Sequence, residues 1–185
     1  MVPMSQPASP HTQRSVAGMI GAMIVAVVVA GGWYLLGRPN EDVRPVPSVD
    51  WSAQVRAGRA DQKLLTFAPP RLLPGWRANG ALYSTGTDPH WHLGLLTDQG
   101  RYIGVDEGLT SVKDLVEQYV DPDAVQGPDV RIGDRTWQSW TDRGGDYALT
   151  WSLRSGTVPT ESVVVVGSAS QGSVIAFVKT LTTAP

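Results

Sequence analysis

Residues 15–37 run for 23 positions without one charged side chain, through Ser15-Val16-Ala17-Gly18 to Trp33-Tyr34-Leu35-Leu36-Gly37. A helix rises about 1.5 Å per residue, so about 20 apolar residues cross a hydrocarbon core of about 30 Å. The run is long enough to span. A buried helix of a water-soluble protein would carry a polar face, and this one has none. A cleaved signal peptide is the stronger rival, but its apolar region is about 7–15 residues long and ends on small residues. Val28-Val29-Ala30 offers a weak site of that kind, yet the apolar run continues past it. Trp33 and Tyr34 then stand where amphipathic rings favour the headgroup zone. The sequence therefore predicts an uncleaved transmembrane helix over 15–37 behind a cytoplasmic tail over 1–14.

Orientation is read from the flanks. Arg14 is the one cation before the span and Arg38 and Arg44 follow it, so a count of Lys and Arg alone does not orient the chain. The tail has no acidic residue, while Glu41 and Asp42 dilute the charge on the far side. A long domain also translocates despite its charges. The expectation is a single-pass cell-membrane protein with its C-terminal domain extracytoplasmic. Gly18, Ala22, Ala26 and Ala30 recur every four residues, a spacing that lets helices approach closely in lipid but is also common in such helices at large.

After the span, residues 38–49 hold three prolines among charges, a stiff extended spacer. Residues 50–185 are the right length for one domain. The chain has 15 Lys plus Arg against 17 Asp plus Glu, and no basic cluster that would read phosphates, so nucleic acid is not an expected partner. There is no cysteine, which removes disulfides, thiolate metal ligands and a cysteine nucleophile together. The domain must be held by its core, and Trp51, Trp76, Trp91, Trp137, Trp140 and Trp151 supply large apolar area.

Periodicity outlines the elements. Asp50 caps a short helix with Trp51 and Val55 on one face. Leu64-Leu65-Thr66-Phe67 reads as a first strand, and Leu73-Pro74-Gly75-Trp76 as a turn. Strands are expected at 81–85, 90–96 and 101–107. The linker Asp98-Gln99-Gly100 selects the register of the last two: a three-residue hairpin loop wants a left-handed last residue, which suits Gly100. That loop pairs Leu95 with Ile103 and Leu93 with Val105 on one apolar face, where a two-residue loop would set Leu93 against Asp106. Trp91 joins the apolar face, with Glu107 at its edge. His92 and Asp106 oppose each other on the second face, and Gly94 opposes Gly104. A helix opens at Thr110 or Ser111, with Val112, Leu115, Val116, Tyr119 and Val120 along one stripe, and Pro122 closes it. A hairpin turns at Gly133-Asp134, a strand alternates through Tyr147, Leu149, Trp151 and Leu153, and Val163–Val166 reads as a central strand. A last helix covers about 170–181. Strands dominate and helices do not alternate with them, so the fold class is α+β, an antiparallel sheet with two or three packed helices.

With those residues placed, the chain resembles an actinobacterial single-pass membrane family known as domain of unknown function forty-two forty-five. The matching pieces are the N-terminal span, Asp50-Trp51, Leu73-Pro74-Gly75-Trp76, Trp91-His92-Leu93-Gly94, Gly100-Arg101-Tyr102, Gly133 with Trp137, and the Val163–Val166 strand with its closing helix. The resemblance covers nearly all of the chain beyond the tail. It implies inner-membrane anchoring with the domain in the cell envelope, and it implies no reaction, cofactor or catalytic residue.

One constellation has metal-ligand character. Alternation puts His90 and His92 on one strand face, and the hairpin register adds Asp106, with Asp88 available as a further ligand. Two imidazoles and a carboxylate would hold zinc with one position open, the basis for a metal-dependent hydrolase using His90, His92 and Asp106. The plainer reading is an ordinary His–Asp hydrogen-bonded pair on a half-exposed sheet face. No Gly-x-Ser-x-Gly elbow is present, no His follows position 92, and Asp106 and Glu107 point to opposite faces, unsuited to paired-carboxylate glycoside chemistry. The remaining candidates are aromatic. Trp76, and whichever of Trp137 and Trp140 faces outward, would stack on a glycan or anchor a partner. The sequence thus points to a membrane-anchored, non-enzymatic binding domain whose partner is an envelope protein, a lipid or a glycan, with no cofactor expected.

Overall fold

The computed structural model describes residues 49–155 and 158–183; the predicted tail, span and most of the spacer lie outside them. Helix α1 (Trp51–Asp61) begins at Asp50, whose carboxylate accepts from the Ala53 amide as expected of an N-cap. Strands β1 (Arg77–Ser84), β2 (His90–Leu96) and β3 (Tyr102–Gly108) follow, then helix α2 (Val112–Tyr119). Strands β4 (Val125–Gln126), β5 (Val130–Ile132), β6 (Arg135–Thr141), β7 (Tyr147–Ser155) and β8 (Val158–Gly167) come next, and helix α3 (Gln171–Val178) closes the order. The strands form one antiparallel sheet ordered β1-β2-β3-β8-β7-β6-β4, with β5 also paired to β6. The α+β class is therefore observed, with three helices on an antiparallel sheet. Among the described residues no helix is long and apolar enough to cross a membrane.

The β2–β3 register is the one the loop chemistry predicts. Leu95 faces Ile103, Leu93 faces Val105 and His92 faces Asp106. Gly100 takes φ +71°, and the Thr97 amide donates to the Arg101 carbonyl at 2.8 Å. One sheet face carries Trp91, Leu93, Ile103, Val105, Leu149, Val163 and Val165 into the main core, closed by Val55 of α1 and Val174, Phe177 and Val178 of α3. The opposite face carries Ala148, Val164 and Val166 against Leu115 of α2, a smaller second core. The strand at 147–153, expected to be half-buried, is thus covered on both sides at its centre, because α2 lies across β7 and β8.

Two expectations are corrected. Residues 64–67 are not a strand. They run as a strap over the main core, attached to side chains instead of to a ladder: Thr66 and Phe67 donate their amides to Glu107 Oε1 and Oε2 at 3.0 and 2.8 Å, Leu65 donates to Glu161 Oε1 at 2.6 Å, and Trp91 Nε1 donates to the Phe67 carbonyl at 2.9 Å. Thr66 sits at φ +53°, a conformation a ladder does not use. Glu107, expected at the edge of the apolar face, is 0 % exposed. An apolar interior tolerates a carboxyl there because backbone N–H groups and Glu161 bond to it.

Candidate functional site

The polar residues singled out on the second sheet face come together. His92 Nδ1 lies 2.8 Å from Asp106 Oδ1, and His90 Nε2 lies 3.3 Å from the same oxygen. Tyr119, the last residue of α2, places its hydroxyl 3.1 Å from His90 Nε2 and stacks its ring on that imidazole at 6.3 Å and 6°. Tyr119 was legible only as part of the apolar helix stripe; its second role comes from α2 ending above β2. Asp106 is the hub of the cluster and is 2 % exposed.

The charge pattern follows from that enclosure. Burial works against the Asp106 charge, but hydrogen bonds from His90 and His92 outweigh it and hold its carboxyl below the usual carboxylate range. An ionised carboxylate only accepts, so His92 Nδ1 carries the proton and Nε2 of the neutral ring is left as an acceptor. The hydrogen bond to Asp106 holds the His92 pKa above its ordinary value. Burial, then the Asp106 charge, pushes the Tyr119 phenol up to about 12. This is the orienting half of an acid–base dyad. Among the described residues the one hydroxyl bonded to either imidazole ring is that of Tyr119, on His90 Nε2. The space that a Cβ on Gly94 would occupy is shared by His92 Nε2, Asn79 Oδ1 and the Tyr102 ring. Burial, reinforced by the Asp106 charge, raises the pKa of Tyr102, the wrong direction for an attacking phenolate.

A cleft of about 350 Å³ opens beside the cluster, lined by Asp88, His90, Thr110, Gln118 and Tyr119. His90 reaches it, whereas His92 and Asp106 do not line it. Among the described residues no group of three His, Cys, Asp or Glu side chains is disposed to hold a metal ion. His90 Nε2 and His92 Nδ1 converge on one carboxylate oxygen rather than around a common point beside it.

The three tryptophans separate by environment. Trp137 is 2 % exposed and packs edge-on against Phe67 at 6.1 Å. Trp76 leaves its turn, where Gly75 takes φ +78°, to stack on Phe177 at 5.7 Å. Trp140 points to the other face, as a spacing of three in a strand requires, and is half-buried beside α2. Its Nε1–H donates to Thr150 Oγ1 at 2.9 Å, and its ring lines a second cleft of about 360 Å³.

A family model described as Protein of unknown function (DUF4245) matches residues 11–181. The chain belongs to that family. The match takes in the whole sheet, all three helices and the His90–His92–Asp106–Tyr119 cluster, so the geometry above is that of a DUF4245 domain. No curated protein and no solved structure matches the chain.

Proposed function

We propose that this DUF4245 chain is a membrane-anchored domain of the cell envelope that binds an envelope protein, a lipid or a glycan and carries out no reaction of its own. The observation that carries the reading is the closed polar cluster. His90 and His92 both turn a ring nitrogen onto one buried carboxylate oxygen, and Tyr119 shares His90. Such an arrangement ties α2 to β2 and β3, a structural task. The uncharged run at 15–37 and the proline spacer supply the tether.

Two measurements test it. The full chain should stay in the membrane fraction through an alkaline wash, and protease added outside intact cells stripped of their wall should digest its C-terminus. Recovery of the chain in the soluble fraction would overturn the anchor. Zinc titration of the detergent-solubilised full chain should show no stoichiometric heat. Stoichiometric zinc that disappears in His92→Ala would replace the binding role with the metal-dependent hydrolase using His90, His92 and Asp106.

A further inference from the structure

The cleft at Trp140 has the chemistry of a ligand subsite. Trp140 stands near the end of β6, paired with Gln126 across the β4–β6 ladder, and Gln138 lies two residues earlier on the same face. An indole is therefore flanked by two primary amides, one from a neighbouring strand and one from its own. The indole is fixed from behind, since its N–H is spent on Thr150, which is 0 % exposed. Among the described residues the side-chain amides of Gln126 and Gln138 have no hydrogen-bond partner. Val116 of α2, with Pro122 and Ala124, completes an apolar wall. The two charged side chains at the rim, Lys113 and Glu117, pair with each other at 3.1 Å and leave the opening with no net charge to offer.

We infer that this cleft is a saccharide subsite, with Trp140 as the stacking platform and Gln126 and Gln138 as hydroxyl-binding groups. A neutral sugar ring has an apolar C–H face and a rim of vicinal hydroxyls. The indole takes the face, and each amide, with a carbonyl acceptor beside two N–H donors, takes hydroxyls at the edge. A ligand carrying formal charge gains nothing from a self-paired rim, and about 360 Å³ suits one ring and part of the next. Trp76 does not offer this, because Phe177 stacks on it, and Trp137 is only 2 % exposed. The inference rests on the binding reading above and names its ligand class as glycan.

The test uses the full chain in a phosphocholine detergent, which brings no sugar headgroup of its own. Saturation-transfer NMR is recorded with the β-1,4-linked trisaccharides of N-acetylglucosamine and of glucose, and with maltotriose. The expected result is transfer concentrated on the C–H face of one ring for at least one of them. The Gln126→Ala/Gln138→Ala double variant, changed only at uncommitted amides, should fold normally and bind about tenfold more weakly. Trp140→Phe should keep weakened binding, and Trp140→Ala should abolish it. Absence of transfer from all three sugars overturns the inference, as does binding unchanged in the double variant. A proline-rich peptide that saturates from Trp140 and displaces the sugar overturns it too. None of these outcomes bears on membrane fractionation or on zinc, so the tether and the non-enzymatic reading stand or fall separately.

Discussion

Asp106 and Glu107 are neighbours in sequence with opposite electrostatic fates, because β3 turns one to each sheet face. Asp106 meets two imidazoles and is held below 3.8, so its contribution to stability is present above that value and lost as pH falls through the lower one. His92 is held above 6.5, so its contribution is full below 6.5 and lost as pH climbs through the raised value. The cluster therefore stabilises most between pH 3.8 and 6.5. An NMR titration of the His92 ring should give a midpoint above 6.5, falling toward it in Asp106→Asn; a midpoint at or below 6.5 in the unaltered chain would contradict the hub. Glu107 differs in sign from Asp106. Burial first, then its hydrogen bond and charge interaction with Glu161, raise its pKa well above 4.5, against the backbone amides that bond to it. Its share of stability is full below 4.5 and lost as pH rises through the raised value. Thermal midpoints should accordingly fall as pH rises above 4.5, and fall less in Glu161→Gln, which still accepts from Leu65 but sets no carboxylate against Glu107. An identical decline in that variant would remove the carboxyl pair as its cause. The face of each carboxyl was legible from the hairpin register. The depth of Glu107 was not, because the strap that buries it comes from residues 64–68 and its partner from residue 161.

The elements that could be read ahead of the structure are those whose partners are close in the chain. The β2–β3 hairpin has one loop length that keeps four apolar side chains on one face, and α2 has both its cap, Ser111 accepting from the Asp114 amide at 3.1 Å, and its stripe within ten residues. The strap at 64–68 is the counterexample. Leu-Leu-Thr-Phe has a strand's composition, but among the described residues it joins no ladder: the groups that bond the amides of Leu65, Thr66 and Phe67 lie about 40 and 96 residues away, and Ala68 makes a single bridge to Thr182. Close approach between elements is likewise invisible locally. A Cβ at Gly167, at the end of β8, would collide with the Tyr102 carbonyl oxygen and come within 2.9 Å of Ile103 Cα, backbone atoms that cannot swing aside. Gly167→Ala should cost about 3 kcal/mol in urea unfolding. Gly133→Ala is the control: nothing lies within 4 Å, and only the φ of +61° is strained, so about 1 kcal/mol is expected. Equal losses in the two would show that the β3–β8 approach is looser than described.

For the molecule as a whole, both cores close within the domain. The main core runs from Val55 to Val178 and the second from Leu115 to Val166, and the compact unit that holds them begins at Pro47. A fragment beginning at Pro47 should then unfold in urea in one transition reported alike by tryptophan fluorescence and circular dichroism; two separated transitions would mean that the two cores do not melt together. The expectation of an anchor at 15–37 needs no fold, because charge-free length is a property of consecutive residues that the bilayer thickness reads directly. The α+β class, the hairpin register and the face of every residue in β2 and β3 are of the same kind, since they follow from periods of two and 3.6 and from loop geometry. Which buried groups meet is not. That Tyr119 joins the histidines, that Glu107 and Glu161 share the core with a strap, and that Trp137 is buried while Trp140 stays half-buried beside two glutamine amides all depend on contacts between distant segments. Those contacts are selected by packing the whole chain at once, and no local period encodes them.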